Sequence, residues 1–219
     1  MISTSSTSGP AGKSTSRLRP EKRAAIMEGG RKVLAQHGIE RASIDTIAAA
    51  SKVSTRTIYK HFTDKSTLCT EIIAESAARV AEDITVLIEK YLLGVTSADD
   101  RESALTNFAT AWLLSDAPSE DHRILMDQMH GIAFHEEPAL VETWYRAGPG
   151  LVLDTLAAAF TTWGERGLLL VQRSDIAAAH FAQLVSARPN IVASSKISPR
   201  ERTTWVSAGV EVFLRAYRA

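Results

Sequence analysis

Apolar residues spaced three and four apart, with no convincing alternating run, restrict this chain to helix almost from end to end. Leu68, Ile72, Ile73, Val80, Ile84, Leu87 and Tyr91 keep that spacing for more than six turns. Thr63 or Asp64 can cap this long helix, and Gly94 with the Thr96–Asp100 stretch ends it. The same spacing predicts helices over about 101–115, about 119–133 and about 137–164, the last broken or kinked at Gly148-Pro149-Gly150. Ser174 caps a further helix to about Arg188, before Pro189. Ser198-Pro199-Arg200-Glu201 is a capping box with proline in the first turn of the last helix. Leu168–Val171 is the one strand candidate, and it is too short and isolated to found a sheet. The fold class is all-α.

The 219 residues suffice for one large domain or two small ones. No apolar run approaches the roughly 18–20 residues of a membrane span, so no membrane partner is expected. The N-terminus lacks the apolar stretch of a secretory signal. A lone cysteine, Cys69, fits a reducing compartment, and the expected location is cytoplasmic. The net charge of zero divides unevenly. Residues 1–65 hold 12 Lys/Arg against 5 Asp/Glu, a net of +7; residues 66–219 hold 13 against 20, a net of −7. A basic first third joined to an acidic remainder suggests two tasks, one of them facing a polyanion.

The first 16 residues, rich in Ser, Thr, Gly and Pro, bury too little to offset the entropy of ordering. Lys13, Arg17, Arg19, Lys22 and Arg23 then form a basic approach to the first helix. Pro20 suits its first position, Ile26, Val33 and Leu34 form its stripe with Ala25 and Gly30, and Gly38 is a plausible C-cap. Gly29-Gly30 inside that helix costs about 1 kcal/mol each relative to alanine. Close packing against a neighbouring helix explains the pair, and a functional hinge is the alternative.

Two very short helices follow. Ser43 caps Ile44 to Ala50, with Ile44, Ile47 and Ala48 inward; Ser51-Lys52-Val53 makes a tight turn. Ser54 caps Thr55 to His61, with Ile58 and Phe62 inward. Neither holds helical shape alone, being shorter than the roughly 12–15 residues needed in water. Such a pair, braced by a preceding helix and carrying excess positive charge, describes a helix-turn-helix DNA reader, with a solvated amphipathic hairpin as the alternative. The outer face of the second helix supplies Thr55, Arg56, Thr57, Tyr59, Lys60 and His61. Arginine can bond a guanine edge twice, and threonine offers a hydroxyl and a methyl to bases. Tyr59, Lys60 and Lys65 suit phosphates.

The run from Ile44 to Leu68 resembles the DNA-binding domain of the TetR family of transcriptional regulators. The match includes Gly38, the Ile47-Ala48 pair, Val53-Ser54, Tyr59-x-x-Phe62 and Lys65-x-x-Leu68, and covers roughly residues 20–70. The resemblance implies a recognition helix bearing Thr55, Arg56, Thr57, Tyr59, Lys60 and His61, with its cap Ser54 counted among the DNA-binding residues. It also implies Ser43 and Thr46 on the bracing helix and Lys65 meeting a phosphate at the start of helix four. The turn departs from the family's frequent Ala-Gly-Val: if position 52 needs a positive φ, lysine costs about a kcal/mol that glycine avoids. Lys52 could also add a phosphate contact. The implied organisation is a basic disordered tail over 1–19, the DNA-binding domain over 20–66, and a helical effector-binding and dimerisation domain over 67–219.

Glu165-Arg166-Gly167-Leu168-Leu169 resembles the AefR-like branch of the family. The last helix carries Trp205, Ala208, Gly209, Val212, Phe213 and Ala216 on one stripe, with Val206, Val210 and Leu214 beside it. With Ile176, Phe181, Leu184 and Val185 it makes half of a four-helix homodimer interface through about 174–188 and 199–217, or else an ordinary core helix. Small Ala208 and Gly209 would admit another helix closely. The resemblance further implies a largely apolar effector pocket, with Phe108, Trp112, Met126, Met129, His130, Phe134, Trp144, Phe160 and Trp163 as candidate lining and core packing as the alternative for each. The implied mechanism is that a ligand swings helix four, spreads the two readers and releases the operator.

No cofactor is expected. His130, His135, Glu136 and Glu137 lack a standard metal spacing. An enzyme finds no Gly-rich phosphate loop, no Gly-x-Ser-x-Gly, and no evident histidine partner for Cys69. A helical adaptor binding RNA or membrane lacks stacking aromatics and a basic amphipathic terminal helix. The function that the resemblance implies is a dimeric, ligand-responsive repressor on a palindromic double-stranded operator, released by a small, largely apolar effector. An activator or an effector-independent regulator of the same fold is the alternative.

Overall fold

The computed structural model describes residues 18–114, 119–132, 138–186 and 198–218. Among them are ten α-helices: α1 Leu18–Arg41, α2 Ile44–Ala50, α3 Thr55–Ile58, α4 Lys65–Ile88, α5 Arg101–Leu114, α6 Glu120–Ile132, α7 Pro138–Ala147, α8 Pro149–Glu165, α9 Ser174–Ser186 and α10 Pro199–Tyr217. Residues 1–17 of the expected tail, the cluster around His135 and the end of the 174–188 helix fall outside the described residues, while Leu18 and Arg19, expected in the tail, already belong to α1. An isolated antiparallel bridge pairs Leu169 with Arg218, and the Leu170 N–H donates to Tyr217 O at 2.8 Å. The Leu168–Val171 stretch thus forms a clasp rather than a sheet.

The chain divides into two compact units, the first ending at Ile72 and the second beginning at Ile73. In the first, α1 packs on α2 and α2 on α3 around Ile26, Val33, Leu34, Ile47, Ala48, Ile58, Phe62, Leu68 and Ile72. Pro20 stands third in α1 rather than first, still within the turn whose N–H groups lack intrahelical acceptors. Gly38 interrupts the helix at φ 77° and ψ 166°, a left-handed backbone that glycine adopts without a Cβ penalty. The paired glycines of α1 serve close packing. A Cβ on Gly29 would stand 2.3 Å from Ser51 Oγ and 2.8 Å from Ser51 N, and one on Gly30 would stand 2.3 Å from Ile72 Cδ1.

In the second unit α7 packs on α8, α8 on α9, α9 on α10 and α10 on α5. Phe108, Phe160, Phe181 and Phe213 lie fully buried at its centre, with ring centroids 5.1 to 6.0 Å apart along their contacts. α4 runs on into a single π-helical turn, Glu89–Leu93, before Gly94. Its expected stripe shifts: Val80, Leu87 and Tyr91 are half-buried, while Ala77, Ala81, Ile84, Ile88 and Leu92 face the core. Ile73 is still fully buried, but a seven-residue repeat drifts about 20° per heptad around a straight helix, so 80 and 87 come to the edge of the core face.

The π turn and its sequel free carbonyls that distant side chains collect. Trp163 Nε1 donates to Leu92 O at 2.9 Å, and Arg166 Nη1 to Leu93 O and Val95 O at 3.0 and 2.9 Å. The expected single stripe of α10 is two faces. Val206, Gly209, Val210 and Phe213 are buried within the unit, whereas Trp205, Ala208, Val212 and Ala216 are exposed. Gly209 does admit a helix closely, but that helix is α9 of the same chain: a Cβ there would stand 2.6 Å from Leu184 O.

Candidate nucleic-acid interface

Two side-chain caps shape the α2–α3 pair. Ser43 Oγ accepts from the Thr46 N–H at 3.1 Å while Thr46 Oγ1 accepts from the Ser43 N–H at 3.0 Å, a closed capping box. Ser54 Oγ accepts from the Thr57 N–H at 3.2 Å, and the Ser54 and Thr57 hydroxyls lie 2.9 Å apart. Between the caps, Lys52 N donates to Ala49 O at 3.2 Å and Val53 N to Ala48 O at 3.0 Å, and this turn puts Lys52 at φ 54°. Position 52 therefore does require the left-handed backbone, and lysine bears the Cβ penalty there.

The second short helix is tighter than expected. α3 proper spans four residues, and Tyr59 to His61 continue as turns, with Phe62 N still donating to Ile58 O at 3.0 Å. Its hydrogen bonds are propagated by burial of Ile58 and Phe62 rather than by helical length. Ile44, expected inward, is only half-buried.

The outer side of α3 and the turn that follows it presents Arg56, Tyr59 and Lys60 to solvent, with Tyr59 58% exposed. Thr55, Thr57 and His61 are half-buried. Lys65, also half-buried, donates from Nζ to Glu40 O at 2.9 Å. Ser43, Thr46, Ser54 and Thr57 thus spend their hydroxyls on caps, and Arg56, Tyr59 and Lys60 are the side chains that extend away. Arg23, from the basic approach, stacks 5.8 Å over the Phe62 ring and bonds Glu71 at 2.8 Å. The Asp64 carboxylate caps α4 through the Thr67 N–H at 2.7 Å, and that bond holds its carboxyl below the usual carboxylate range.

The candidate effector residues separate into two groups within the second unit. Phe108, Trp112, Phe160 and Trp163 join the phenylalanine cluster, Phe108 lying tilted against Trp112 with centroids 5.5 Å apart. Full burial leaves Phe108, Phe160 and Trp163 no open surface in this state. Met126 and Trp144 form the other group, Trp144 Nε1 donating to Met126 Sδ at 2.9 Å, and Met129 is buried. The His130 side chain and Phe134 lie outside the described residues. A buried pair escaped the sequence reading: Ser76 Oγ and His122 Nδ1 are 2.9 Å apart, from positions 46 residues distant. No local spacing announces a contact of that separation. Among the described residues no group of three His, Cys, Asp or Glu could hold a metal, and no helix is long and apolar enough to cross a membrane.

Residues 26–72 match the family profile of bacterial regulatory proteins, tetR family, and residues 103–219 match that of the AefR-like transcriptional repressor, C-terminal domain. The HTH-type transcriptional repressors AcnR of Corynebacterium efficiens and Corynebacterium glutamicum are each 38% identical over 63 residues, 29% of this chain. That match spans about a third of their length, 34%. A TetR-family protein of Mesorhizobium loti MAFF303099 superposes with a TM-score of 0.79 at 25% identity, covering 92% of this chain and 98% of its own. The flavonoid-responsive regulator FrrA shares the fold at a TM-score of 0.69 and 21% identity, covering 91% of this chain and 98% of its own. Matched in its capped helix pair and across its C-terminal half, the chain belongs to the TetR family of non-enzymatic, DNA-binding transcriptional regulators and carries an AefR-like C-terminal domain.

Proposed function

We propose that this protein is a ligand-responsive repressor that binds a palindromic DNA operator as a homodimer and is released by a small, largely apolar effector. The observation that carries the reading is the exposed side of α3 and its following turn: Arg56, Tyr59 and Lys60 stand exposed on a segment whose other side is pinned by Ile58 and Phe62. Residues 20–66 form the reader and 67–219 the effector and dimerisation part. Arg56 reads a base edge, Tyr59, Lys60 and Lys65 bond phosphates, and Thr55, Thr57 and His61 contribute at the groove floor. The cap hydroxyls of Ser43, Thr46 and Ser54 hold both helices for that contact. Repression is the sense carried by the matched C-terminal profile and by the AcnR relatives.

Trp205 and Val212, 39% and 51% exposed, with Ala208 on the same side of α10 and Ile176 on α9, support a subunit interface through these two helices. Apolar side chains at that exposure gain by burial against a second copy. Two copies then present two readers to one operator face. Trp112, Met126 and Trp144, less enclosed than the phenylalanine cluster or bonded outside it, are the side chains best suited to meet an effector. Such a regulator works in the cytoplasm.

The test is binding of purified protein to fragments of its own upstream DNA, with scrambled controls and a salt titration. Tight, palindrome-dependent binding with a steep salt slope is expected. Arg56→Ala should weaken specific binding by about tenfold or more at unchanged thermal stability. Unchanged operator affinity, or an equal loss on operator and scrambled DNA, would remove Arg56 from base reading.

A further inference from the structure

A cleft of about 360 Å³ opens in the second unit between the start of α5 and the end of α10. Its charged lining is Asp99, Arg101, Glu102, Glu211, Arg215 and Arg218, three cations and three carboxylates. Arg215 and Glu211 pair with each other along α10. The other four form no ion pair among the described residues.

Arg101 is the unusual member. It is 7% exposed, and its guanidinium is held in place by two backbone carbonyls, Nε donating to Ala98 O at 2.8 Å and Nη1 to Leu168 O at 2.7 Å. Carbonyls fix its plane but bring no countercharge, and a buried cation without an anion is costly. Its remaining Nη2 hydrogens find no acceptor among the described residues, and the cleft is the space its side chain borders.

We infer that this cleft binds a small zwitterion of the amino-acid or dipeptide class. The carboxylate would take Arg101 Nη2 and Arg218, and the ammonium would take Asp99 and Glu102. The balanced lining decides the class. A dianion such as phosphate gains from the arginines but must approach three carboxylates, and a simple cation meets the reverse. A ligand with both charges satisfies both sets. The volume lies at the small-molecule end of pocket sizes, about 300–1,000 Å³, which suits a molecule of this size. The site is separate from the aromatic interior considered for the effector.

Calorimetric titration of the full-length protein with L-alanine, L-lysine and glycylglycine tests it, with acetate, methylammonium and inorganic phosphate as controls. At least one zwitterion should bind saturably, and acetate and methylammonium should each bind at least about tenfold more weakly. Glu102→Gln and Asp99→Asn, both at exposed positions, should weaken that zwitterion by about tenfold at unchanged melting temperature. Arg101→Gln also loses its tie to Leu168, so Arg218→Gln is the second cationic variant. Absence of saturable binding by all three zwitterions, phosphate binding as tightly as any of them, or affinity indifferent to the four substitutions would each overturn the proposal.

Discussion

Lys52 is the residue at which local chemistry and tertiary demand disagree. The turn between α2 and α3 needs φ 54° there, and a β-carbon in that region costs about 1 kcal/mol. Lys52→Gly should therefore stabilise the protein by about 0.5–1 kcal/mol in urea unfolding, the gain reduced by glycine's greater freedom in the unfolded chain. A loss of stability would mean that the lysine side chain contributes more than its backbone costs. At Asp175 the conflict is absent: Arg173 forks onto its carboxylate at 2.9 and 2.6 Å and lowers its pKa from 3.8 to about 2. A depressed carboxyl pKa stabilises fully above the unfolded value of 3.8, and the effect fades as pH falls toward 2. Carboxyl titration by NMR should find Asp175 near 2, and Arg173→Gln should return it toward 3.8.

At the scale of elements, helix contacts here are set by missing side chains as much as by present ones. Gly29 lets α1 meet the turn at Ser51, and a Cβ would strike backbone, which cannot rotate away. Gly29→Ala should cost about 1–3 kcal/mol, measured as a shift in urea midpoint without a change in slope. Gly30→Ala should cost less, because the atom it meets is the end of the Ile72 side chain. Gly209→Ala tests the same device between α9 and α10, where the obstacle is again backbone, Leu184 O. If all three alanines cost the same, packing geometry is not the source of the effect.

At the scale of the molecule, two units of opposite charge share one chain. The basic reader and the acidic remainder cancel to zero overall, so DNA attraction is local and the rest of the chain does not compete for it. The proposed dimer adds the second reader. Val212→Glu, at an exposed position of α10, should leave the fold intact, shift sedimentation toward the monomer and reduce operator affinity. A variant that remains dimeric would locate the subunit contact elsewhere.

Several helix boundaries were legible because they depend on neighbours in sequence. The N-cap at Ser43, the capping box at Ser198 and the break before Pro149 are each decided within about four residues, whereas Gly38, expected to end α1, kinks a helix that continues to Arg41. Also legible were the reader's charge and the buried Ile58 and Phe62 beneath it. Which face of α10 turns inward was not legible, since Trp205 and Val206 are equally apolar and differ only in what α9 and α5 leave uncovered. The Ser76–His122 bond, the ties from Trp163 and Arg166 to the end of α4, and the setting of Arg101 join residues 46 to 73 positions apart. Periodicity and caps act over one or two turns. Contacts of that range exist only once packing has brought the helices together.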